Sequence, residues 1–80
     1  MSKEQILSPL PGIFYRRASP ESEEFKLQGD SVCVGDVIGL AEVMKSFHEI
    51  KSQVAGYSIT FLVEDGDAIM PGQVLAELDG

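Results

Sequence analysis

Cysteine is almost absent from this 80-residue chain: Cys33 stands alone, so no internal disulfide can staple the fold and no cysteine pair can hold zinc. A reducing compartment suits such a chain. Histidine is equally scarce, with His48 the only one, and no nucleophile or carboxylate accompanies it at a spacing that supports catalysis. Long apolar runs are missing too. The longest reach about five residues, far below the ~20 that a membrane-spanning helix needs, and the polar start Ser2-Lys3-Glu4-Gln5 lacks the apolar core of a signal peptide. The expectation is a cytoplasmic protein with no membrane partner. Cations are few: six Lys plus Arg against thirteen Asp plus Glu give a net charge of −7, which repels phosphate backbones and argues against nucleic acid as a partner. No stretch repeats apolar residues at the period of about 3.6 that marks a helix, so helix should be nearly absent.

What is present is alternation. Eighty residues make one small domain, since so short a chain buries only ~60% of its unfolded surface and cannot be divided between two cores. Residues 1–7 carry little signal and are expected to form a flexible lead, with the domain spanning 8–80 and structure beginning near Leu10. Pro9 and Pro11 exclude a helix there, and Ile13-Phe14-Tyr15 reads as the first strand. Arg16 to Glu24 is polar and acidic, which makes it a surface loop, after which Phe25 and Leu27 return the chain to the core. Val37-Ile38-Gly39-Leu40-Ala41 is an apolar strand. Further on, His48, Ile50, Ser52 and Val54 alternate with Glu49, Lys51 and Gln53, as in a strand with one buried face, and this makes His48 half-buried. Between these two strands lies Glu42-Val43-Met44-Lys45-Ser46-Phe47, so Lys45 falls near the bend of a hairpin. Tyr57, Ile59, Phe61 and Val63 share one face of a later strand, and Val74, Ala76 and Leu78 do the same near the end. Cys33, between valines, reads as a small core residue.

The chain also repeats itself. Gly29 to Ile38 aligns with Gly66 to Leu75 at an offset of 37, and Gly12 before Ile13-Phe14-Tyr15 matches Gly56 before Tyr57-Ser58-Ile59 at an offset of 44. The excess has about the size of the polar loop at Arg16 to Glu24. Neither copy buries an apolar face alone, so the two should pack face to face about a quasi-twofold axis. Gly29, Gly35, Gly66 and Gly72 stand where strand ends need positive φ. Glu64, Asp65 and Asp67 lack the remaining oxygen ligands of a calcium loop.

Glu42-Val43-Met44-Lys45 resembles the Glu-Ala/Val-Met-Lys signature of biotinyl domains. Ser8 to Arg16 is similar to the first strand of the carrier domains of bacterial acetyl-CoA carboxylases, Ser19-Pro20 and the acidic run after it resemble their protruding thumb, and Val63-Glu64-Asp65-Gly66 their second-half turn. Ser46 and Phe47 depart from the pattern, which has Met or Leu and then Met. The resemblance implies an all-β flattened barrel or sandwich of two four-stranded antiparallel sheets with quasi-twofold symmetry and a thumb-like loop. It further implies covalent biotin on Lys45, with Met44, Glu42 and Val43 as neighbouring recognition residues. A biotin protein ligase would attach it, a biotin carboxylase would load its ureido ring, and a carboxyltransferase acting on an acyl-CoA would receive the carboxyl group. The chain would then be a non-catalytic carrier. A lipoyl carrier and an unmodified interaction module on the same scaffold remain as alternatives. Lipoyl domains present Asp-Lys-Ala at the tip, which Met44-Lys45-Ser46 does not match.

Overall fold

Alternating apolar and polar residues produce seven strands and no helix among residues 3–80, the part described by this computed structural model. In chain order they are β1 (Lys3–Leu7), β2 (Gly12–Tyr15), β3 (Val37–Val43), β4 (Ser46–Lys51), β5 (Tyr57–Phe61), β6 (Ala68–Ile69) and β7 (Val74–Asp79). They form one sheet of order β4-β3-β2-β6 and another of order β1-β7-β5, with every pairing antiparallel. Side chains from both sheets fill the space between, and Phe14, Ile38, Ile50, Ile59, Ile69, Leu75 and Leu78 are fully buried there.

The internal repeat becomes a repeat of pairings. β3 pairs with β4 and β2 as β7 pairs with β1 and β5. The β2–β6 pair Gly12↔Ile69 has its counterpart in the isolated bridge Val32↔Gly56. That bridge is all that forms of the expected eighth strand, so the second sheet has three strands instead of four. Next to it, β5 carries an extra residue where the register shifts between Tyr57 and Thr60, around Ser58 at φ 55. A bulge of this kind interrupts the ladder and twists the strand away. It also breaks the alternation: Ile59, Phe61 and Val63 are buried as expected, whereas Tyr57 is exposed.

Residues 3–7 are not a flexible lead. They form β1, paired from Lys3↔Asp79 to Leu7↔Val74 with Ile6 buried, and so cover the edge of β7 that would otherwise be open. Structure therefore begins at Lys3, well before Leu10, while the expectation for residues 1 and 2 lies outside the described residues. The signal was weak because Ile6 is the only side chain of β1 that is buried. Three single-residue expectations also change. Cys33 is exposed, because it opens a turn and Val32 beside it is the residue that points inward. His48 is exposed because β4 runs past the edge of the core, and burial begins only at Ile50. Leu27 is exposed in its turn, leaving the half-buried Phe25 to close the polar loop.

Four turns share one construction. In each, a glycine at φ between 82 and 92 precedes Asp30, Asp36, Asp67 or Gln73, whose side chain accepts the N–H of Leu27, Cys33, Glu64 or Met70 at 2.8–3.0 Å. Only glycine adopts that backbone without strain, and the carboxylate or amide closes the turn. Asp67 is thereby employed in its own turn. The Cys33 N–H and the Lys26 ammonium together hold the Asp36 carboxyl below the usual aspartate range.

Candidate functional site

β3 and β4 run antiparallel through six residue pairs, from Val37↔Lys51 to Val43↔Ser46, and leave only Met44 and Lys45 to turn the chain. Both have positive φ, 50 and 67, which is the geometry of a two-residue type I′ hairpin. Such turns favour Asn and Gly because the left-handed region costs other residues about 1–2 kcal/mol each. The ladder behind the turn supplies that energy. The result is a lysine held on a stiff ribbon, in a backbone conformation its own side chain does not favour.

Among the described residues no side-chain hydrogen bond or ion pair engages these two side chains. Met44 is 93% exposed, and Lys45 is exposed beside it. The ion pairs among the described residues engage Lys3, Arg16, Arg17, Lys26 and Lys51, and leave the Lys45 amine to solvent. The turn therefore holds an exposed primary amine at the apex of the hairpin, on a backbone with positive φ at both residues.

On the outer face of the same sheet, Glu42 pairs with Phe47 across the hairpin, and Ile13 of β2 lies on the other side of Glu42. Tyr15 reaches into this row. Its hydroxyl donates to Glu42 Oε1 at 3.1 Å, and its ring lies 6.0 Å from that of Phe47 at a tilt of 56°. The hydrogen bond to Glu42 raises the Tyr15 pKa above the usual phenol value, helped by partial desolvation and by the charges of Glu42 and Asp65. Val43 is half-buried at the last rung, and Gly12 lies so close to the Glu42 carbonyl that a Cβ there would meet it at 2.5 Å. In the sequence Tyr15 is an ordinary strand residue. Alternation shows which face a residue takes but not which strand becomes its neighbour.

The polar loop projects beside this face and is tied at its base. Arg17 and Glu24 form a bridge, and Phe25 N–H donates to the Arg16 carbonyl at 2.9 Å. Arg16 stacks its guanidinium 4.1 Å above the Phe61 ring, pairs with Glu24 at 3.2 Å and donates to the Lys26 carbonyl. At the tip, the Ser19 and Ser22 hydroxyls share a hydrogen bond of 2.9 Å. Between this loop and the sheet lies an open groove of about 480 Å³, lined by Tyr15 and Phe47 of the sheet, by Arg17, Ser19 and Pro20 of the loop, and by Asp65. The structure thus gathers Glu42, Val43, Met44, Lys45, Phe47, Tyr15 and the thumb-like loop at one end. His48 faces the opposite side of the hairpin from Phe47, beside Ala41. No helix among the described residues is long and apolar enough to cross a membrane.

Fold and tip together define a two-sheet β domain that presents one lysine on a tight, strained turn. Residues 4–78 match the family described as "Biotin-requiring enzyme". The chain belongs to the biotin/lipoyl attachment family. Among curated relatives it is 39% identical to the biotin carboxyl carrier protein of acetyl-CoA carboxylase from Haemophilus influenzae, over 86% of this chain and 44% of that one. It is 41% identical to the protein of the same name from Pseudomonas aeruginosa, over 80% of this chain and 41% of the relative. Pyropia yezoensis has another so named, 35% identical over 92% of this chain and 47% of its own. The chain therefore spans less than half the length of these relatives.

Proposed function

We propose that Lys45 carries covalent biotin and that the domain shuttles a carboxyl group from a biotin carboxylase to a carboxyltransferase acting on an acyl-CoA, as in acetyl-CoA carboxylase, in the cytoplasm. The observation that carries this reading is the Met44-Lys45 turn, with positive φ at both residues and an exposed amine at its apex. A biotin protein ligase needs such an amine within reach, and it must take the proton from the lysine before attack. Met44 and Glu42 flank the amine as exposed and half-exposed contacts for that enzyme, and Val43 anchors the last rung. Bound biotin supplies the ureido nitrogen that accepts and releases the carboxyl group. The domain itself supplies reach, a stiff base and a groove of the volume that small ligands occupy, about 300–1,000 Å³. It is a carrier and not the catalyst.

The test is the intact mass of the protein isolated from its natural host. One biotinyl group per chain is expected, located by fragmentation to Lys45. A lipoyl increment, or none, overturns the proposal.

The thumb-like loop gives a second expectation. Replacing Arg17 to Glu24 by a short Gly-Ser turn leaves a folded domain, because these residues contribute no buried apolar side chain. Ligase modification persists, whereas carboxyl transfer falls by about tenfold as one wall of the groove is lost. Unfolding of this variant would show instead that the Arg16–Glu24 contacts hold the sheet.

A further inference from the structure

Glu42 stands three positions before Lys45, and its only hydrogen bond among the described side chains comes from Tyr15, 27 positions earlier in the chain. No lysine or arginine of this chain pairs with it among the described residues. The Glu42 side chain is half-exposed and has no cation of this chain beside it among the described residues. Tyr15 uses only Oε1, so Oε2 remains to accept from an outside donor. The Tyr15 backbone is held by β2–β3 pairing, and its ring packs against that of Phe47. This arrangement aims a carboxylate at solvent from a stiff base.

We infer that Tyr15 is a positioning residue for the modification of Lys45: through its hydroxyl and its packing on Phe47 it holds the Glu42 carboxylate ready for a basic side chain of the ligase. The inference rests on the reading of Lys45 as the biotin site. A carboxylate already oriented loses less freedom on docking, and bidentate or charge-assisted bonds are the most sensitive to that orientation. Phe47 then has a role that its departure from the family pattern did not suggest. It packs the side of the Tyr15 ring and so limits where the hydroxyl can point.

The experiment uses the unmodified protein as substrate for a bacterial biotin ligase with ATP and biotin. Tyr15→Phe keeps the ring and removes the hydroxyl. The KM for the domain is expected to rise about tenfold with kcat within about twofold, the effect of losing one hydrogen bond to a charged group. Glu42→Gln should raise KM to a similar extent, and the double variant should be no worse than Glu42→Gln alone, since the two act as one unit. A wild-type KM for Tyr15→Phe, a fall in kcat instead, or additive effects would overturn the assignment.

A second readout needs no ligase. In a Tyr57→Phe background Tyr15 is the one tyrosine left, and its ionisation can be followed by ultraviolet absorbance. Adding Glu42→Gln should lower that midpoint, although Asp65 still contributes its charge. An unmoved midpoint would show that the bond to Glu42 is not formed in solution, and the inference would fail. If the wild-type chain gains no biotin at Lys45, the functional reading falls and this one with it. If it gains biotin and Tyr15→Phe is unaffected, only the role of Tyr15 is lost.

Discussion

Lys45→Arg should yield a folded domain that takes up no biotin at all. Arginine offers no nucleophilic amine, because its guanidinium stays protonated at any pH a protein tolerates. It accepts the left-handed backbone at φ 67 about as well, or as badly, as lysine does, and the site is exposed, so the melting temperature should be unchanged. The other lysines cannot substitute. Lys26 is tied to Asp36 at 3.1 Å and to the Ser31 carbonyl at 3.0 Å, at a turn away from the hairpin apex. Lys51 and Lys3 lie within strands, each beside a carboxylate, Glu49 at 3.9 Å and Asp79 at 3.5 Å. None of these three has the strained two-residue turn beneath it. Streptavidin blotting after incubation with ligase, ATP and biotin checks the result, and a variant that still binds streptavidin would displace Lys45 as the site.

Exchanging Met44 and Lys45 should reduce modification by more than about 100-fold while changing stability by less than about 1 kcal/mol. Composition, charge and length are unchanged in Met44→Lys with Lys45→Met. Both positions have positive φ and both are exposed, so each residue enters a conformation like the one it left. What changes is where the amine starts. Successive residues along the hairpin are ~3.3 Å apart and project in different directions, and a displacement of that size is large against an attack distance of about 3 Å. Mass spectrometry of the folded double variant gives the answer. Modification at the wild-type rate would mean that the ligase reads an accessible lysine and ignores the turn.

Much of this arrangement is legible in the residues. Alternation through Ile50 and Ser52 and through Ala76 and Leu78 gives strands with the correct faces, and the spaced glycines mark turns that do require positive φ. The place of Lys45 at a hairpin bend follows from the two strands that flank it. The differences come from two sources, partners distant in the chain and local departures from strand geometry. β1 exists because β7 has an open edge, which nothing in Lys3–Leu7 reveals. Tyr57 is turned outward by one extra residue at Ser58, and alternation, being a local rule, cannot foresee a bulge. Tyr15 joins the site through a bond across 27 positions. Its chemistry was visible in the sequence, but its neighbour was not.

The quasi-twofold axis also sets the Lys45 turn and the outer ends of β1 and β7 at opposite poles. β6 runs towards the Lys45 turn beside β2, so β7 starts near that turn and ends at the far pole, where Asp79 meets Lys3. The first half of the chain fills this place in the pattern with the closed β3–β4 hairpin, and the second half fills it with the unjoined pair β1 and β7. The two poles of the domain are thus unlike: one is closed by the two-residue turn at Met44 and Lys45, and the other holds the paired outer ends of β1 and β7, Lys3 and Asp79.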